Sequence, residues 1–148
     1  MRDFDRPLEE SGRAHARAVG KAIADAKLKP DVVLCSPAKR TRETWDGVSE
    51  AVGEVANVRF LEALYGSDVG GYLAAIRGAG SGHTVLVVGH NPMIAETADA
   101  LAGDGDARAL DSMRSRYPTS SLAVIGFEGP LAEVEPGAGT LESWLLRE

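Results

Sequence analysis

The chain has 148 residues, 44% hydrophobic and 26% charged, with a net charge of −6, the profile of one ordinary globular domain able to bury a core. Its basic residues are spread among acids, which argues against nucleic acid or an anionic membrane as the main partner, and no apolar run approaches the roughly 20 residues that span a bilayer. A single cysteine, Cys35, excludes an internal disulfide; the three histidines, His15, His83 and His90, lack metal-ligand spacing, so neither a metal nor a cofactor is expected. The charged opening "MRDFDRPLEE" is unlike a secretory leader, and a cytoplasmic enzyme or binding domain is the expectation.

In chain order, "SGRAHARAVGKAIADAKL" (11–28) predicts a helix, with Ala14, Ala18, Val19, Ala22, Ile23 and Ala26 on one face and Pro30 beyond its end. "DVVLCS" (31–36) is a continuous apolar run that predicts a strand buried on both faces, with Cys35 in the core. Residues 37–52 predict a helix opened by Pro37, with Thr41, Thr44, Trp45, Val48 and Val52 on one face. A strand is expected over 57–64 and a weaker helix over 69–79, where Val69, Tyr72, Leu73 and Ile76 share a side. "HTVLVVGH" (83–90) predicts another buried strand, and "PMIAETADALAG" (92–103) a helix stopped by Gly103. A polar loop over 104–120, a strand over 121–129 and a loosely alternating end with a short edge pairing complete the chain.

Strand and helix alternate from about residue 31 to 103, which predicts one α/β domain over 1–148 with a mostly parallel sheet and helices on its faces. Ligands of such sheets bind beyond the carboxyl ends of the strands. Two strand-to-helix junctions carry distinctive polar residues there: "CSPAKRTRET", with Arg40 one turn into its helix, and "VVGHNP", with His90 at the strand tip. Helix starts attract anions, and an arginine fork can hold two phosphate oxygens together. Each residue alone also fits a plainer role. Arg40 fits a solvated helix face beside Lys39 and Arg42, and His90 a core histidine satisfied by backbone groups. Their joint placement is what suggests a phosphate site.

At these residues the sequence resembles the histidine phosphatase superfamily, with its phosphoglycerate mutase-like fold, and within it the SixA-like phosphohistidine phosphatases. "DFDRPLEESG" (3–12), "SPAKRTRET" (36–44), "LEALYG" (61–66), "VLVVGHNP" (85–92) and "RYPTSSLAVIGF" (116–127) match family segments in the family's order. The resemblance implies a three-layer α/β/α domain with a mostly parallel central sheet. It implies that Arg40 clamps phosphate and that His90 stabilises the transferring phosphoryl group, favouring its protonated form beside it. The backbone at Asn91 would add a donor, and Glu62 would either protonate the leaving group or be a strand-end surface carboxylate. His15 and His83 match no catalytic position and are expected on the surface. The implied substrate is a phosphohistidine protein, or alternatively a small phosphate ester.

One departure stands against these matches. The family's Arg-His-Gly or Arg-His-Ala motif ends a first, central strand and supplies the nucleophilic histidine, yet no Arg-His pair occurs in the 148 residues. The resemblance therefore implies that this strand and its nucleophile are missing from the sequence. Two expectations follow: an amino-terminally truncated enzyme, inactive as it stands, or a pseudo-enzyme that binds a phosphate or phosphopeptide without turnover. Unpaired sheet edges and exposed apolar helix faces are expected with either. Nothing in the sequence indicates an oligomeric state.

Overall fold

The computed structural model of the chain describes residues 1–79 and 82–146. Strand β1 (Val32–Cys35) lies at the centre of a parallel sheet, between β2 (Asn57–Phe60) and β3 (Val85–Val88). All four residues of β1 are buried, as its apolar run requires. Its side chains alternate between two cores. Val32 and Leu34 pack with Tyr72, Leu73 and Ile76 of α4 (Val69–Arg77) and Leu101 of α5 (Met93–Leu101). Val33 and Cys35 pack with Ala16 and Ile23 of α1 (Glu10–Asp25) and Trp45 and Val48 of α2 (Lys39–Val52). This is the three-layer α/β/α arrangement. Burial pushes the Cys35 thiol up to about 12, as befits a core residue.

The face of α1 differs from the expectation. Ala16, Gly20 and Ile23 are buried, whereas Ala14, Ala18 and Ala26 are exposed. The stripe is set by close contact between α1 and α2, since a Cβ on Gly20 would lie 2.5 Å from the Val48 carbonyl oxygen. Gly20 thus serves the helix contact rather than weakening the helix. On α2 the predicted face holds, with Thr41, Trp45 and Val48 buried, and so does that of α4, with Tyr72, Leu73 and Ile76.

The expected strand over 57–64 stops at Phe60, because Leu64 enters the core as part of a short helix α3 (Ala63–Gly66). Helix α5 ends at Leu101, and Gly103 lies in a strand, β4 (Ala102–Gly105), instead of stopping the helix. The expected loop over 104–120 holds α6 (Ala107–Ser115), capped by the Asp106 carboxylate accepting from the Ala109 N–H at 3.0 Å. Leu110 and Met113, one turn apart, bury its inner face against Ala98, Ala102 and Leu141. Strand β5 (Leu122–Gly126) follows. The chain's last strand, β6 (Gly139–Leu145), is no edge pairing but lies between β4 and β5. It runs parallel to β4 and antiparallel to β5. Arg147 and Glu148 of the predicted ending lie outside the described residues.

In place of one central sheet there are two three-stranded ones, β2-β1-β3 and β4-β6-β5. Among the described residues β3 pairs only with β1 and β5 only with β6. Between these two open edges is a cavity of ≈ 1630 Å³. Ala16, Val19 and Ile23 line it from one layer, and Ile94, Ala98 and Leu101 from the other. The residues of β5 and most of β3 are only half-buried.

Candidate active site

The carboxyl ends of β1 and β3 carry the site. Ser36 follows β1 directly and is fully buried. Its Oγ accepts from the Ala38 N–H at 3.3 Å, while Thr41 Oγ1 donates to the Ser36 and Ala38 carbonyls at 2.9 and 2.8 Å. These bonds shape the tight turn into α2 and set the direction of Arg40 in its first turn. On the neighbouring strand, Gly89 brings the chain close to Tyr72, whose hydroxyl would lie 2.6 Å from any Cβ there. That hydroxyl accepts from the His90 N–H at 3.1 Å and donates to the Leu64 carbonyl at 2.5 Å. His90 is thus fixed from the backbone outward.

Arg40 and His90, fifty residues apart in the chain, meet: Arg40 Nη2 lies 3.2 Å from His90 Nδ1. A guanidinium only donates, so Nδ1 accepts, and the ring proton of the neutral imidazole sits on Nε2. From there it reaches Ser36 Oγ, 2.7 Å away. Burial, and then the adjacent Arg40 charge, hold the His90 pKa below its ordinary 6.5, with Asp3 opposing weakly. In this arrangement the His90 imidazole is therefore neutral.

Besides Ser36, two residues at the site went unremarked in the sequence. Asp3 accepts from Arg40 twice, through its backbone oxygen (Nη1, 2.9 Å) and its carboxylate (Nη2, 3.1 Å). Tyr65 donates to the same carboxylate at 2.9 Å and stands edge-on to His90, ring centroids 5.4 Å apart. The Tyr65 hydroxyl, followed by Arg40, holds the Asp3 carboxyl below its usual range. A sequence signal existed for Asp3, in the "DFDRPL" segment, but its partner lies 37 residues away and only folding joins them.

Glu62 is not a strand-end residue; it precedes α3, is exposed, and lines a cleft of ≈ 420 Å³ with Arg2, Asp3, Phe4 and Tyr65. That cleft adjoins the site through Asp3 and Tyr65. Asn91 is exposed, and its side-chain amide donates to the Tyr117 carbonyl at 2.9 Å, tying the end of β3 to the approach to β5. His83 is exposed at the far end of β3, where its N–H reaches Asp31 at 2.9 Å. His15 is half-buried in the cavity wall rather than on the surface, because α1 turns that side toward the gap beside β3. Among the described residues no group of three or more histidine, cysteine or acidic side chains is placed to hold a metal, and no helix is long and apolar enough to cross a membrane.

The chain is also similar to known proteins. A family model described as histidine phosphatase superfamily (branch 1) matches residues 2–75. An uncharacterized protein of Mycobacterium tuberculosis is 36% identical over 142 residues, covering 94% of this chain and 87% of that protein. The structure of a candidate phosphohistidine phosphatase SixA from Nakamurella multipartitia superposes with a TM-score of 0.84 at 33% identity, over 97% of this chain and 86% of that one. A second SixA candidate, from Agrobacterium tumefaciens, gives 0.82 at 30% identity, over 99% and 87%.

Proposed function

We propose, given that the chain belongs to the histidine phosphatase superfamily (branch 1), that it binds a phosphoryl group between Arg40 and His90 and is the phosphate-holding part of a SixA-like phosphatase. Membership and likeness to SixA candidates support phosphatase function in general. The observation that carries the finer reading is the 3.2 Å approach of the Arg40 guanidinium to His90 Nδ1 at the carboxyl ends of the parallel strands. A phosphoryl group there would take its oxygens' charge from the Arg40 fork and from a His90 imidazole drawn to its protonated form. The Asn91 backbone and the start of α5 would add N–H donors. Glu62, which lines the adjoining cleft with Asp3 and Tyr65, would serve the leaving group.

Hydrolysis through a covalent phosphohistidine needs a nucleophilic imidazole in addition to the one that stabilises charge. His90 is engaged by Arg40 and Ser36, His83 lies at the opposite end of its strand, and His15 faces the cavity. That arrangement favours the reading of the 148-residue chain as binding phosphate without turning it over; the covalent step belongs to a protein that supplies the further histidine. The physiological substrate would be a phosphohistidine protein or a small phosphate ester.

Calorimetric titration of the 148-residue chain with orthophosphate tests this directly. Binding should be measurable and should weaken at least about tenfold in Arg40→Ala and in His90→Ala, while turnover of p-nitrophenyl phosphate stays at background. Unchanged phosphate affinity in both variants would remove the site, and robust turnover by the unaltered chain would remove the division of roles. In a protein that also carries the nucleophile, either substitution should lower the phosphatase rate by about 10²-fold or more, as for loss of preorganised charge.

A further inference from the structure

Among the described residues Tyr72 is the largest fully buried side chain, 1% exposed, and it carries a hydroxyl into the core formed with Leu64, Leu73 and Ile76. A phenylalanine would fill the same volume without burying a polar atom, and a buried hydroxyl is costly unless it is hydrogen-bonded. Here it both accepts and donates. It accepts from the His90 N–H at 3.1 Å and donates to the Leu64 carbonyl at 2.5 Å. Burial raises the pKa of the phenol, so the hydroxyl keeps the proton that it donates.

Both partners lie where regular structure gives little support. The His90 N–H is beyond the end of β3, past the last ladder pair, Cys35 with Val88. The Leu64 carbonyl belongs to α3, a single turn of four residues that could not persist by itself in water. The two also stand on different walls of the site. His90 turns its imidazole to Arg40, 3.2 Å away. Tyr65, next to Leu64, stands edge-on to His90, and its hydroxyl donates to the Asp3 carboxylate that Arg40 holds. These contacts close a circuit. It runs from Arg40 to His90, through the Tyr72 hydroxyl to α3, and through Tyr65 and Asp3 back to Arg40. The bonds of Asp3 to Arg40 and Tyr65 are exposed, where water competes, whereas the Tyr72 bond to Leu64 is buried and correspondingly firm.

We infer that Tyr72 is a positioning residue of the phosphoryl site: its hydroxyl sets His90 against Arg40 and locks the one-turn helix bearing Tyr65 to the tip of β3. Its consequence for binding rests on the proposed phosphate site, while the tie itself needs no ligand. A phosphoryl group would then meet walls already spaced, which lowers the ordering cost of binding.

Tyr72→Phe removes the hydroxyl and keeps the ring. Without the tie, the His90 ring gains access to water and freedom to move off Arg40, and both influences that hold its pKa down weaken, with Asp3 the other charge acting on it. Ring-proton NMR should therefore show His90 titrating higher than in the unaltered chain, nearer 6.5. Calorimetry should show orthophosphate bound at least about fivefold more weakly. Met113→Ala is the control for lost stability alone, since Met113 is buried with Leu110, Ala98 and Leu141 in a separate core. That variant should unfold at lower urea yet keep the His90 titration and the phosphate affinity. An unchanged His90 titration in Tyr72→Phe would overturn the inference, and so would an equal change in Met113→Ala. Should Tyr72→Phe not fold, the His90 amide of the unaltered chain decides: hydrogen exchange at least about tenfold slower than in an unstructured peptide is expected, and exchange at the unstructured rate would overturn the tie. If the unaltered chain takes up no orthophosphate, the phosphate site fails while the His90 titration still decides the role of Tyr72.

Discussion

His90 is the residue whose ionisation reports on the site. Burial and the Arg40 charge both disfavour its imidazolium form, so its pKa lies below the ordinary 6.5. The unfolded chain consequently takes up this proton first as the pH falls, and the contribution of His90 to stability declines below pH 6.5. A phosphate dianion bound as proposed would reverse the local field. Ring-proton NMR should therefore show His90 titrating below 6.5 in the free chain, and shifting upward when orthophosphate saturates it. An identical titration with and without phosphate would separate the anion from His90. Asp3 offers a second residue-level prediction. Its carboxylate occupies part of the Arg40 fork that an incoming phosphate would use, while its backbone oxygen holds the guanidinium independently. Asp3→Asn should keep the tether, remove the competing charge, and bind orthophosphate modestly tighter, read by the same calorimetry; weaker binding would make the carboxylate a positioning group.

Among the elements, the contact between α1 and α2 is the least tolerant. Gly20→Ala places a methyl group 2.5 Å from the Val48 carbonyl oxygen, and both helix backbones must move apart to admit it. Urea unfolding should show a loss of about 1–3 kcal/mol, typical of overpacking, despite alanine's better helix propensity; a gain in stability would mean the helices separate without cost. At the other end of the chain, α6 depends on its cap, and Asp106→Ala should lose about 1 kcal/mol by releasing the Ala109 N–H. Helix α6 was legible in principle. An Asp cap and the Leu110–Met113 spacing are both helical signals, but the polar stretch from Asp104 to Ser121 masks them. Strand β4 was not legible, because "AGDG" has no strand propensity and pairs only because β6 lies beside it.

At the scale of the whole molecule, stability should be uneven. Strand β1 is paired on both sides and buried on both faces, whereas β3 and β5 each border the cavity. Amide exchange should be slowest in β1 and faster in β5; uniform protection across the three strands would contradict this unevenness. The same asymmetry places the site at the junction of a firm half and a soft one. Ser36 and Arg40 rest on β1 and α2, while His90 rests on β3, which among the described residues pairs on one side only.

Apart from the short α3, the order of strands and helices from β1 to α5, the buried run of β1, and the meeting of Arg40 with His90 at the strand ends were readable from residue order. Each depends on local periodicity, turn chemistry or a short motif. Glu62 at a helix start, β6 in the middle of a sheet, the split of the sheet into two, and the joining of Asp3, Ser36 and Tyr65 to the Arg40–His90 pair were decided only by folding. These are contacts between segments tens of residues apart. Their partners are chosen by which helix faces and strand edges must be covered, a condition that the whole chain meets together and no local stretch encodes.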